Sequence, residues 1–425
     1  MNLLKKLAQD SLWLLIARIV AQGSMVIVTY LLARHLGAIG FGEYSFMAAM
    51  IVFGNVLTTF GSDMVLIRQI AANGDLSDMP SMLALQLGLT CLFIVAIFLF
   101  AGLLPDRTSD GFLAVRVYSF ALIPMAFYTV FTSLLRGLQK MTTYAWLFLG
   151  IAVMQVFAVV VFVQRGVHIV ELAYLLLGVQ IIGTVIAGVL CLPFISIVES
   201  WTFPLNKLIS VFVICQPVAF IAILVIIYQK MSLALLLFLG SASLVGLFSA
   251  AARVMEVTRI GHFALFTALY PMLANTDRES QGTIRFLWFF LLIISIAGSL
   301  LLFLLAGFIV DVFYGSKYQL SIPVLKILSF TLIPYTINSF LSLMFLANKR
   351  EKTVLCILGI AAFLLLILNV WLIPIAGYIG AAWAALIAES IQAILFLWAW
   401  LSKTFRQINR VSSKGVLYEI SDLPR

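Results

Sequence analysis

Charge is scarce in this sequence: Asp, Glu, Lys and Arg make up 10% of 425 residues, against about 25% in a soluble globular domain. Apolar residues make up 64%. No water-soluble fold of this size can bury that much apolar surface and still cover itself with polar groups. Soluble enzymes, secreted disulfide scaffolds and disordered chains are therefore excluded. Cysteine is scarce too. Cys91, Cys191, Cys215 and Cys356 all lie in apolar stretches and form no CxxC, so they read as small hydrophobes rather than a redox or metal site. The three histidines, His35, His168 and His262, make neither HxxxH nor HExxH. No GxxxxGK[ST] loop for nucleotide phosphates occurs. No pair of acids sits in an outer loop where a membrane polymerase or hydrolase would need it. No metal, cofactor or catalytic residue is expected.

What is present suits a bilayer. A spanning helix needs roughly 20 residues. Helices are expected at 12–34, 43–70, 82–104, 112–135, 143–163, 170–194, 208–239, 243–274, 284–310, 322–346, 353–373 and 378–401. Twelve helices leave about a dozen residues per connection, too few for a sizeable soluble domain. The stretches 208–239 and 243–274 exceed one bilayer thickness and should tilt, bend or project. The run 12–33 is too long for a cleaved signal and reads as a retained first helix.

The formal net charge is +9. With the N-terminus inside, sixteen Lys and Arg residues fall on the inner side and six on the outer. The positive-inside rule accounts for this bias. The basic loops then contact anionic membrane lipids, and nucleic acid is not an expected partner. Both termini are expected in the cytoplasm.

The chain also repeats itself. Ser119-Phe120-Ala121-Leu122-Ile123-Pro124 recurs as Ser329-Phe330-Thr331-Leu332-Ile333-Pro334, and Leu149-Gly150-Ile151-Ala152 recurs as Leu358-Gly359-Ile360-Ala361. With one gap, Leu36-Gly37 with Gly42, Tyr44 and Ser45 faces Leu239-Gly240 with Gly246, Phe248 and Ser249. The order is collinear and the offset is near half the chain. Six helices per half makes the repeat parallel. The expected fold is an all-α integral membrane protein, with twelve transmembrane helices in two parallel six-helix lobes around a central cavity. The lobes are expected at 1–200 and 201–401, with a cytoplasmic tail at 402–425.

Charge at the centre of a spanning helix is expensive, so the few such residues are the functional candidates. They are Arg18, with Gln22 one turn later; Asp63; Lys230; Arg253, Glu256 and Arg259 at spacing three; and Glu389. Arg18, Gln22, Lys230, Arg253, Glu256 and Arg259 are the expected substrate contacts. Asp63 and Glu389 are candidate coupling or structural acids. The cations outnumber the acids, and Arg suits phosphate because it offers paired donors and stays charged. The trio in the eighth helix has an alternative, purely structural reading as an Arg–Glu–Arg network within that helix. Pro124 and Pro334 occupy equivalent places in the repeat, should bend their helices alike, and are candidate hinges.

The opening SLWLLIARIVAQGSMVIVTYLLARHLGAIGFGEYSF, then FGSDMVLIRQIA, LFLGSASLVGLFSAAARVMEV and IPIAGYIGAAWAALIAE, resemble the polysaccharide biosynthesis flippases. These are the O-antigen repeat-unit transporters of the multidrug/oligosaccharidyl-lipid/polysaccharide exporter superfamily. The resemblance implies two lobes forming a V that opens to one side at a time. It implies transport of an undecaprenyl-pyrophosphate-linked oligosaccharide across a bacterial inner membrane, and an association with polysaccharide polymerase machinery. Arg18, Arg253 and Arg259 are the cavity positions it favours. Many relatives carry an acid before the seventh helix's leucine run, where this chain has Gln229-Lys230-Met231. The rival within the superfamily is a drug or organic-cation antiporter, which calls for carboxylates in the first lobe. A membrane glycosyltransferase and a non-transporting scaffold are rivals from other classes.

Overall fold

The computed structural model describes the backbone of residues 3–100, 109–166, 168–195, 205–274, 278–347 and 350–421. Side chains are described for these except 3–12, 14–16, 18–19, 100, 109, 195, 205, 260–274, 278–285, 287 and 403–421. Among the described residues there are helices and no strands. In hydrocarbon a backbone must satisfy its own hydrogen bonds, and a helix does so within one segment. The elements are α1 (Leu3–Thr59), α2 (Ser62–Asn73), α3 (Met79–Phe100), α4 (Ser109–Ser119), α5 (Leu122–Gly137), α6 (Met141–Arg165) and α7 (Ile169–Ile195), then α8 (Leu205–Leu239), α9 (Ala242–Ala274) and α10 (Arg278–Phe313). A 3₁₀ turn (Ser316–Ser321), α11 (Ile322–Ser329), α12 (Leu332–Ala347) and α13 (Glu351–Ser421) complete the chain.

By length and apolarity, eight of the described helices are able to cross a membrane, or nine if the bent pair around Phe330 is one span. Two of these fold back on themselves. The two arms of α1 meet at Gly37 (φ 67°) and those of α13 at Gly377 (φ 55°), a left-handed backbone that only glycine adopts at little cost. A single glycine thus does the work of the loop expected between the first two helices. α9 carries Arg253, Glu256 and Arg259 and falls outside a count based on apolarity. With the two folded helices opened and α9 added, the passes agree with the twelve expected. α13 continues as a helix to Ser421, beyond the expected end at 401.

The internal repeat is visible in backbone detail. α4 ends at Ser119 and α5 starts at Leu122; α11 ends at Ser329 and α12 starts at Leu332. In each, the serine hydroxyl donates to a main-chain carbonyl three residues back, Arg116 O at 2.6 Å and Lys326 O at 2.8 Å. Arg116 lies over the Phe98 ring at 5.3 Å and Lys326 over the Phe303 ring at 5.2 Å. The breaks lie just upstream of Pro124 and Pro334. A proline cannot donate to the carbonyl four residues earlier and its ring crowds it; those carbonyls belong to Phe120 and Phe330. The second break bends its pass by 43°.

The halves meet backbone to backbone. A Cβ on Gly42 would run into the carbonyl of Ala242, and a Cβ on Gly246 into the carbonyl of Ala38. The reciprocity is that of a twofold contact. At this crossing end, Tyr318 Oη donates to Ala33 O (3.0 Å) and Arg34 Nη2 to Val312 O (2.9 Å). Phe41 packs against the rings of Tyr314 and Tyr318.

The long α8 ties the halves together at the opposite end. Its start packs on α2 and α3, where Lys207 Nζ donates to Ser77 O (2.7 Å) and pairs with Asp78 (3.4 Å). Further along, Phe212 stacks on Phe60 at 4.8 Å. Phe60 (φ 49°) and Gly61 (φ 69°) are both left-handed and break the second pass between α1 and α2, a break not expected from sequence. The far half of α8 packs on α13, where Asn369 Nδ2 donates to Ser232 Oγ (3.1 Å).

Gly42→Ala and Gly246→Ala should each destabilise the protein by about 1–3 kcal/mol, the usual range for overpacking. Gly88→Ala, where a Cβ meets nothing within 4 Å, should not. Thermal unfolding of the purified protein in detergent distinguishes them. Equal midpoints for all three would show that the crossing is not close-packed.

Candidate functional site

The charged residues gather where α8 and α9 face the first arm of α1. Glu256 is shared. Its Oε1 accepts from Lys230 Nζ at 3.0 Å and its Oε2 from Arg253 Nη1 at 2.8 Å. Arg253 Nη1 also lies 3.9 Å from Met25 Sδ on α1. Each step of three residues misses a full helical turn by about 60°, so Arg259 points well away from Arg253. It reaches the second half instead: Thr331 Oγ1 at 3.1 Å, Glu389 Oε1 at 3.4 Å, and the face of the Tyr335 ring at 4.5 Å. Asn338 Nδ2 donates to the other oxygen of Glu389, Oε2, at 2.9 Å. The Arg–Glu–Arg network expected within α9 is therefore present only in its first half. The second arginine makes a long-range pair. Thr331 stands at the α11–α12 break, so Arg259 grips the chain where proline has opened the helix.

Two cavities flank this charged seam. The first, of about 640 Å³, is walled by the first half, with Tyr44, Asn55, Tyr128, Gln155 and Gln180 among its lining, and by Lys230, Arg253 and Glu256 at its α8–α9 edge. The second, of about 510 Å³, holds Tyr228, Arg259, Thr331, Tyr335, Asn338 and Glu389. Both are lined by Gln22, Gln229, Ala252 and Glu256. Gln22 also borders an apolar cleft of about 190 Å³ between α1, α9 and the end of α10, lined by Val26, Tyr30, Val257, Ile309 and Phe313, with Arg253 and Glu256 at its rim. Taken together, the described seam carries three cations and two carboxylates.

Of the residues singled out by sequence, Gln22, Lys230, Arg253, Glu256, Arg259 and Glu389 come together here. The side chain of Arg18 lies outside the described residues. Asp63 stands on the first turn of α2, away from both cavities. Pro124 and Pro334 line neither cavity; the Pro124 carbonyl accepts from Thr184 Oγ1 (2.9 Å). Sequence reasoning missed Gln229, Asn338, Gln155 and Gln180. Their signal in the sequence is that amides inside apolar helices need partners. Among the described residues no cluster of His, Cys, Asp and Glu could hold a metal ion.

The family model for polysaccharide biosynthesis proteins matches residues 7–277. The chain belongs to that family. No curated protein matches it. Among solved structures it is similar to a lipid II flippase, MurJ, in an inward closed conformation, with TM-score 0.72 and 17% identity over 98% of this chain and 94% of that one. It is also similar to a multidrug resistance MATE family transporter of the MOP superfamily in an inward-facing conformation, with TM-score 0.65 and 16% identity over 91% and 94%. A MOP superfamily transporter from Pyrococcus furiosus aligns with TM-score 0.62 and 16% identity over 94% and 95%. At these identities the likeness establishes a shared fold.

Breaking a fully buried ion pair costs about 3–5 kcal/mol and an exposed one about 0–1 kcal/mol. The Arg259–Glu389 pair is part-buried, so Arg259→Ala and Glu389→Ala should each destabilise by an amount between those limits, about 1–3 kcal/mol. The double variant should lose less than their sum, with a coupling of about 0.5–3 kcal/mol. A double-mutant cycle on thermal unfolding measures it; strict additivity would deny the pair.

Proposed function

We propose that this protein is a flippase. It carries an undecaprenyl-pyrophosphate-linked oligosaccharide, an O-antigen unit or similar, from the cytoplasmic to the periplasmic leaflet of a bacterial inner membrane. The observation that carries this reading is the seam itself. Cations held ready by Glu256 border an amide-lined cavity on one side and an apolar cleft on the other. An amphiphile with a charged waist fits that order: sugars in the cavity, pyrophosphate at Lys230 and Arg253, polyprenyl chain leaving through the cleft into lipid. Arg18 is assigned to the same cationic path, and Arg259 to the second cavity. Family membership supports the polysaccharide context.

The positive-inside bias orients the molecule. It supports an orientation with the Gly42–Gly246 crossing on the periplasmic side and both termini in the cytoplasm, with 402–425 as a tail. The lobes 1–200 and 201–401 rock against each other, parting and re-forming the crossing, and the breaks before Pro124 and Pro334 serve as hinges. Asp63 and Glu389 remain the candidate acids for coupling. No covalent chemistry is assigned.

The organic-cation antiporter is disfavoured by one feature. The place a cationic drug would take in the second cavity, against Glu389 and over Tyr335, is already filled by the Arg259 guanidinium.

Arg18→Ala, Arg253→Ala and Arg259→Ala combined should abolish surface polysaccharide in a strain that depends on this protein. Arg253→Ala alone should weaken binding of undecaprenyl pyrophosphate by roughly tenfold or more, since a hydrogen bond to a charged group contributes about 1.5–3 kcal/mol. Unchanged polysaccharide in the triple variant would refute the cationic-cavity mechanism.

A further inference from the structure

The two cavities differ in charge, and the difference assigns their occupants. In the larger one, all the charge on described residues lies along a single edge, at Lys230, Arg253 and Glu256, and these three already pair with one another. The remaining polar lining is neutral and comes from separate helices: Asn55 from α1, Gln155 from α6 and Gln180 from α7. Three hydroxyls in the same wall, Ser45 Oγ, Ser249 Oγ and Tyr128 Oη, are buried and find no hydrogen-bond partner among the described residues. Native structures rarely leave buried polar atoms unpaired, and such atoms call for an explanation. The smaller cavity is different: it contains an ion pair of its own, Arg259 with Glu389.

We infer that the larger cavity is a subsite for an uncharged, hydroxyl-rich saccharide, with phosphate confined to its α8–α9 edge. This rests on the carrier reading above and adds the class of sugar. An amide offers both donors and an acceptor, and so does a hydroxyl. The amides of Asn55, Gln155 and Gln180 can therefore both donate to and accept from sugar hydroxyls. The aromatic bodies of Tyr44, Tyr118, Tyr128 and Phe148 give the apolar faces of sugar rings a surface to pack on. A volume of about 640 Å³ lies in the range of small-molecule sites, about 300–1,000 Å³. A uronic acid or other acidic sugar fits poorly. Among the described residues its carboxylate would meet no cation that is not already engaged with Glu256, and an unpaired buried charge is strongly disfavoured.

The test measures binding of three probes to the full-length protein in nanodiscs: undecaprenyl pyrophosphate, the same lipid bearing a neutral N-acetylglucosamine–galactose disaccharide, and the same lipid with glucuronic acid in place of galactose. The neutral disaccharide should tighten binding about tenfold over the bare lipid, equivalent to one or two net hydrogen bonds, and the acidic one should lose that gain. Gln155→Ala with Gln180→Ala should bring the neutral glycolipid to the affinity of the bare lipid. Gln180→Glu, which preserves side-chain size, should still bind the neutral glycolipid and should discriminate further against the acidic one. Equal binding of neutral and acidic glycolipids, or glutamine variants that retain the whole gain, would overturn the subsite. Failure of the bare lipid to bind, or indifference of its binding to Arg253→Ala, would instead overturn the carrier reading on which the subsite depends.

Discussion

The contact between Gly42 and Gly246 governs the rest of the structure. Two helices approach so closely there that backbone replaces side chain on both sides, and each glycine faces the other half's alanine carbonyl. Because α1 and α9 cross at this point, the charged part of α9 lies about two to three and a half turns below it, its first arginine opposite Met25. The positions of both cavities follow from that crossing. The aromatic group of Phe41, Tyr314 and Tyr318 fills the space around it. Cores of this density behave as bistable rather than continuously deformable. Under the proposed function, a crossing without side chains is also one that two lobes can leave and re-form without unlocking rotamers.

Proline and glycine act differently in this fold. Gly37 and Gly377 reverse the chain between passes, whereas Pro124 and Pro334 interrupt passes internally. The interruption falls at the unbonded carbonyl, four residues upstream of the ring. In the second half it supplies Thr331 to Arg259. The equivalent position in the first half is Ala121, which has no such hydroxyl. The repeat thus shares its backbone and differs in its polar groups at this break.

How much of this was legible in the sequence depends on range. The twelve passes, the two halves and the paired breaks follow from local composition and from one proline-containing hexapeptide. The gathering of Lys230, Arg253, Glu256 and Gln22 follows from the high cost of charge in lipid, which leaves few residues to choose from. What could not be read was pairing across distance. Arg259 and Glu389 are 130 positions apart, and Asp63 looked equally eligible until the fold placed it on the first turn of α2. The break at Phe60–Gly61 was also hidden, because a phenylalanine gives no sign of adopting a left-handed backbone. It is stacked there on Phe212, a residue of the other half.

Under the proposed function, the sharing of Glu256 between Lys230 and Arg253 has a mechanistic consequence. Cations left bare in such a cavity would be costly to bury and would hold a diphosphate too firmly for release. With Glu256 between them, an arriving phosphate competes with a carboxylate already in place. At an effective dielectric near 20, unit charges 4 Å apart attract by about 4 kcal/mol. Replacing a singly charged carboxylate by a more highly charged pyrophosphate therefore gains only the difference between two comparable terms. A carrier needs that moderation, since its ligand must leave on the far side. The same carboxylate keeps the seam compact when no ligand is bound, so the empty transporter can return.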